Sequence, residues 1–162
     1  SSLDTYMALE KLYKLGKVKA IGVSNYNVHH LMYLLEHAHV VPMVNQVETH
    51  IGLQNHFLQE FCDKNGIQLE AYAPLMSWKI GEMLENEVMI KIAEDHGKNV
   101  PQVAIRWLVQ RGVVAIPKSV NKDRIVANFN VFDFELSDND MLEIRKLNKG
   151  AKLFPEFDNV DF

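Results

Sequence analysis

The chain has a single cysteine, Cys62, among its 162 residues. No disulfide can form within it, and the composition suits a reducing, cytoplasmic setting. Cys62 falls at helical spacing from Leu58, which reads as a small buried core residue rather than a nucleophile. No apolar run approaches the eighteen or so residues of a membrane span, and the first residues lack the basic-then-apolar order of a secretory signal. A membrane partner is therefore not expected. A basic block is also missing: 17 Lys and Arg are scattered among 21 Asp and Glu for a formal charge of -4, which leaves no footprint for nucleic acid. No second His or carboxylate stands at ligand spacing from His50, so no metal site is expected. With no low-complexity linker either, residues 1–162 read as one domain, long enough to bury a core.

What the chain does have is a repeated order of helix and strand. Leu3, Met7, Leu9, Leu12 and Leu15 follow helical spacing, with Gly16 placed to end that helix in a left-handed cap. A strand over 18–23 follows, then a helix from about Asn27, a strand over 43–48, a helix over 54–64 and a strand over 67–72. A longer connection holds helices near 87–96 and 101–110, with Pro101 suited to a first turn. A strand over 113–116 and helices over 122–129 and 138–148 complete the order, Ser137 being the N-cap of the last. Phe154 to Phe162 has no period and reads as irregular chain. This alternation predicts an α/β fold of four parallel strands joined by right-handed crossovers.

Three polar clusters each follow a short apolar run: Gly22-Val23-Ser24-Asn25-Tyr26, Ala71-Tyr72-Ala73-Pro74-Leu75 and Ile116-Pro117-Lys118-Ser119. In parallel α/β folds the C-terminal ends of strands form the binding face. Ser24 and Asn25 are either ligand groups at a strand end or a turn that caps the next helix. Period two puts Gln46, Glu48 and His50 on one face of the second strand, where Glu48 and His50 read as a buried polar pair. Tyr72 offers a flat ring for stacking, or a core aromatic. Pro74 should keep Ala73 extended, so that Leu75 and Ser77 line a path leaving the strand. Lys118, Ser119 and Arg124 at the start of a helix form a compact anion site, with Asn128 four residues beyond Arg124 on the same face.

The stretch from Lys17 to Tyr26, and Ile116-Pro117-Lys118-Ser119 followed by Arg124 and Asn128, resemble two signatures of the aldo-keto reductases, a family that reduces carbonyls with NADPH on an eight-stranded β/α barrel. The tail Pro155 to Phe162 is similar to that of bacterial members of the diketogluconate reductase type. The resemblance implies that Ser24, Asn25 and Gln46 hold the nicotinamide carboxamide and that Tyr72 stacks on its ring. It further implies that Leu75 and Ser77 follow the pyrophosphate, that Lys118, Ser119 and Arg124 take the 2′-phosphate of NADP(H), and that Asn128 reaches the adenine. The family's proton-donor Tyr and its supporting Asp, Lys and His lie on the first four barrel strands, so no catalytic residue is expected here. Four strands cannot close a barrel that needs eight. The expected architecture is the C-terminal half of a (β/α)8 TIM barrel: the NADP(H)-binding half of an oxidoreductase that turns aldehydes and ketones into alcohols. Its outer strands and apolar interior face should need the N-terminal half or a second copy. The competing expectation is a non-catalytic NADP(H)-binding or self-associating module.

Overall fold

The computed structural model describes residues 2–159. Val160 to Phe162, the end of the tail singled out above, lie outside the described residues. The elements run α1 (Ser2–Lys14), β1 (Gly22–Ser24), α2 (Val28–His37), β2 (Val44–Glu48), α3 (His56–Lys64), β3 (Gln68–Tyr72), a 3-10 turn (Ser77–Lys79) leading into α4 (Ile80–Leu84), α5 (Glu87–His96), α6 (Val100–Gln110), β4 (Val114–Ala115), α7 (Lys122–Phe129) and α8 (Asp138–Arg145), followed by a 3-10 segment (Pro155–Asn159). The four parallel strands lie in the order β1-β2-β3-β4.

Helix starts follow the local chemistry. Asn99 accepts from the Gln102 amide at 2.9 Å, the Gln102 side chain returns to the Asn99 amide at 3.0 Å, and Pro101 sits in the first turn. Ser137 caps α8 as its sequence position predicts, through the Asp140 amide at 3.0 Å. Expected and observed strands differ most at β1, which begins at Gly22 rather than Val18 because pairing starts only where β2 runs alongside, Gly22 opposite Val44 and Ser24 opposite Gln46.

The described residues fall into two compact units. The first comprises the chain up to Val47, Asn55–Glu70 and the segment from Phe154. Leu31, Leu34, Leu58, Cys62, Ile67 and Leu69 are buried there. Burial pushes the Cys62 thiol up, as suits an inert core cysteine. The α1 face differs from the expected one: Tyr6 and Glu10 are buried, whereas Leu12 and Leu15 are exposed. The reason is polar. Glu10 Oε1 accepts from the amides of His39 (2.7 Å) and Val40 (2.8 Å), and the Tyr6 hydroxyl donates to the Val40 carbonyl at 2.9 Å.

Burial alone would raise the Glu10 carboxyl, but the amides of Val40 and His39 and the His39 ring outweigh it and hold the carboxyl below its ordinary 4.5. A depressed carboxyl stabilises the fold above the unfolded value, and that contribution is lost as pH falls through the folded value. The urea midpoint should therefore fall below about pH 4.5, and Glu10→Gln should flatten this acid limb; an unchanged limb would contradict the clamp. Gly22 meets a backbone limit in the same unit: a Cβ there would lie 2.6 Å from the Val44 carbonyl oxygen. Gly22→Ala must shift the β1–β2 pairing, at about 1–3 kcal/mol of stability in urea unfolding.

The second unit comprises Glu48–Gln54 and Ala71–Leu153. Met83, Met89, Val103, Trp107, Leu108 and Ile144 form its buried centre. The Ile116 amide donates to the Ala71 carbonyl at 3.1 Å, which fastens the end of β4 to the end of β3. Ile105 and Val109 of α6, β4, and Ile125, Val126 and Phe129 of α7 line an apolar cavity of about 800 Å³.

Candidate functional site

In the first unit the turn after β1 is bolted to β2. The buried Asn45 accepts from the Tyr26 amide at 3.4 Å and donates through Nδ2 to the Tyr26 carbonyl at 2.8 Å. The Gln46 carbonyl accepts from the Asn25 amide and from the Ser24 hydroxyl, both at 2.9 Å. Asn25 takes a left-handed φ of 61°, a conformation that Asn tolerates better than most residues. Ser24, Asn25 and Gln46 are thereby brought together. The Ser24 proton is committed to the main chain, so what its oxygen presents outward is lone pairs. The Gln46 side chain donates through Nε2 to Glu70 Oε1 on β3 at 2.5 Å.

Glu48 and His50 belong to the second unit and form a buried pair, Nε2 to Oε1 at 2.8 Å. Nδ1 of His50 accepts from the Gly52 amide, so the ring is neutral with its proton on Nε2. Burial holds its pKa below the ordinary value, against the pull of Glu48. Glu48 also accepts from the Leu153 amide at 2.6 Å, so the pair ties the chain after α8 to the end of β2. The strand alternation does not extend to His50, which lies beyond β2 in an isolated bridge with Leu53.

Tyr72 ends β3 half-buried. Ala73 is not extended: its φ is 49°, and its carbonyl accepts from the Met76 amide at 2.9 Å, closing a turn with Pro74 at the second position. Met76 and Ser77 are left-handed as well, with φ of 64° and 46°. Three such residues within five concentrate backbone strain beside Leu75 and Ser77, at about 1–2 kcal/mol each. The steric preference before proline was overridden by closure of this turn.

At the start of α7 the Asn121 side chain accepts from the Arg124 amide at 3.0 Å, and the Ser119 hydroxyl accepts from the Asn121 amide at 3.1 Å. These groups are used locally, so Lys118 and Arg124 carry what the helix start offers to an anion. Both are exposed, and among the described residues neither side chain forms an ion pair. Asn128 lies half-buried on α7 and lines the apolar cavity.

Residues 1–149 match the aldo/keto reductase family. The chain belongs to that family. Glyoxal reductase of Bacillus subtilis (strain 168) is 54% identical over 159 residues, which are 98% of this chain and 56% of that protein. A crystal structure of an aldo-keto reductase from a Medee basin deep-sea metagenome library shares 64% identity and a TM-score of 0.96, covering 99% of this chain and 60% of that one. The silkworm Bombyx mori aldo-keto reductase complexed with NADPH shares 35% identity and a TM-score of 0.88, covering 97% of this chain and 51% of that one. The chain thus spans little more than half the length of these relatives. The family is one of oxidoreductases that act on aldehydes and ketones, and similar structures have been solved in complex with NADPH.

Sequence reasoning passed over two residues of the first unit's group. Glu70 is the partner of Gln46, and the alternation Gln68, Glu70, Tyr72 along β3 was the available signal, since it places a carboxylate on the face of the nominated Tyr72. Asn45 is the second, a polar residue in the apolar strand β2 whose role is the clamp on Tyr26.

Proposed function

We propose that this chain is the cofactor-holding, C-terminal half of an aldo-keto reductase barrel, which reduces small aldehydes and ketones with NADPH in the cytoplasm. The observation that carries the reading is the pair of cations Lys118 and Arg124, which flank the start of α7 with no anionic partner among the described residues. Two cations beside a helix start suit a dianionic phosphate better than a ribose diol. In this reading they take the 2′-phosphate with Ser119, once its hydroxyl turns from Asn121. Asn128 faces the adenine, Leu75 and Ser77 the pyrophosphate, and Tyr72 the nicotinamide ring. Ser24, Asn25 and Gln46 hold the carboxamide.

The bound cofactor supplies the hydride. What this chain's residues do is orient the ring, by stacking and by hydrogen bonds to its carboxamide, so that one face is presented to the carbonyl. The proton-donating Tyr and its supporting Asp, Lys and His are proposed to lie outside these 162 residues, in an N-terminal half. Glyoxal reductase being similar, a dicarbonyl is the first substrate to assay.

The cavity beside β4 favours a partner over an isolated module. Val114, Ile125, Val126, Phe129 and Phe132 are exposed around an apolar hollow next to a terminal strand of the sheet. Such a patch beside an open strand edge calls for cover, and the proposed cover is the N-terminal half. A second copy is the alternative. Sedimentation of the chain should show self-association that an added N-terminal half displaces; a monomer indifferent to that half and to a hydrophobic dye would contradict the half barrel. The cofactor reading is tested by fluorescence titration: NADPH should bind saturably and NADH far more weakly, and equal affinities would overturn it.

A further inference from the structure

Gln46 and Glu70 stand side by side on neighbouring strands, β2 and β3, where the Gln68 amide donates to the Met43 carbonyl at 2.9 Å. Glu70 is half-buried and takes part in no ion pair among the described residues; its hydrogen-bond partner is Nε2 of Gln46 at 2.5 Å. A glutamine side chain is ambiguous by half a turn, because its oxygen and nitrogen ends have the same shape. An ionised carboxylate removes the ambiguity. It only accepts, so the end of Gln46 that faces it must be the NH2 end. Oε1 of Gln46 is therefore turned away from Glu70 as an acceptor. Ser24 presents the same polarity, since its proton goes to the Gln46 carbonyl at 2.9 Å and its lone pairs remain.

We infer that Glu70 is a positioning residue that fixes the Gln46 amide, so that Gln46 Oε1 and Ser24 Oγ together offer two acceptors to the NH2 of a ligand carboxamide. This rests on the proposal that Gln46 meets the nicotinamide. What it adds is a polarity: the site reads the carboxamide NH2 rather than its carbonyl. A cofactor with an acetyl group in place of the carboxamide would set a methyl against the two acceptors and leave them without donors.

The test is equilibrium binding of NADP+ and of its 3-acetylpyridine analogue to the whole chain, followed by tryptophan quenching. The parent should favour NADP+ by about ten-fold, the size expected for the one or two hydrogen bonds that the analogue cannot make. Glu70→Gln, which keeps the volume but lets the Gln46 amide turn over, should weaken NADP+, leave the analogue nearly unchanged and shrink the ratio to about two- or three-fold. Glu70→Met should do the same, which covers the case of a Gln variant that folds poorly. Glu70→Asp, which restores an acceptor-only partner, should recover part of the ratio. A merely structural role for Glu70 would weaken both ligands equally, and that result overturns the inference. Gln46→Ala separates the two levels. If it collapses the ratio while Glu70→Gln does not, Glu70 has no positioning role but Gln46 still reads the carboxamide. If Gln46→Ala leaves the ratio intact, or if the parent binds neither ligand, the reading of Gln46 fails and the role of Glu70 with it.

Discussion

The 162 residues alone should oxidise NADPH with glyoxal at a rate at least about 10² to 10⁴-fold below that of the same chain completed by an aldo-keto reductase N-terminal half. That range is what general acid catalysis contributes when a proton must reach a developing alkoxide. In the proposed reading Ser24, Asn25, Gln46 and Tyr72 only orient the ring that carries the hydride, and no group of this chain is assigned to protonate the carbonyl oxygen. Tyr6 is engaged with Val40, and burial, with the Glu10 and Tyr26 charges adding to it, pushes its hydroxyl well above the ordinary phenol range. Tyr26 is buried and its hydroxyl is likewise raised by burial. His50 is neutral and closed in by Glu48 and Gly52. Loss of substrate positioning deepens the deficit further. Stopped-flow or steady-state decay of NADPH absorbance, on chain free of host reductases, reads the difference. Turnover by the chain alone would show that it holds a proton donor, with Tyr26 and His50 the first to replace.

Replacing both cations at the start of α7, as Lys118→Ala with Arg124→Ala, should weaken NADPH by about 10²-fold or more while NADH changes by less than about three-fold. Each charge-assisted hydrogen bond contributes about 1.5–3 kcal/mol. Two such bonds to one phosphate share it and fall short of additivity, which is why the lower end of the range is expected. Lys118→Ala alone should cost about ten-fold. The loss should also shrink as salt rises, because both cations are exposed. Equal losses for the two cofactors would place the cations elsewhere on the ligand or off it.

The fold was legible because its periods are local. Helix-strand alternation, caps such as Asn99 and Ser137, and Gly16 at its left-handed φ of 67° follow from neighbours in sequence, and the elements from β2 to α8 fall within a few residues of their expected places. The connection after β3 was not legible to the same degree: the turn Ser77–Lys79 and α4 go unmarked because no apolar period spans so short a helix. The face of α1 was misjudged because leucine spacing outweighed a glutamate whose partners, His39 and Val40, lie about thirty residues away. Ala73 shows the same limit on the backbone, where a local steric rule yielded to a turn. At the candidate site, residues at strand ends were nominated by position and residue type. Glu70 was not, because its meaning depends on which strand lies beside it.

A phosphorus NMR titration of NADP+ with the chain bears on the cofactor reading without any need for turnover. The 2′-phosphate signal should shift on binding and stay at its dianion position to lower pH than in free NADP+, because Lys118 and Arg124 favour the charged form. In the doubly substituted chain that displacement should vanish. A 2′-phosphate signal that titrates in the parent as it does in free NADP+, or that moves equally in the doubly substituted chain, would contradict the assignment of these two residues and with it the NADPH-holding role proposed for the chain.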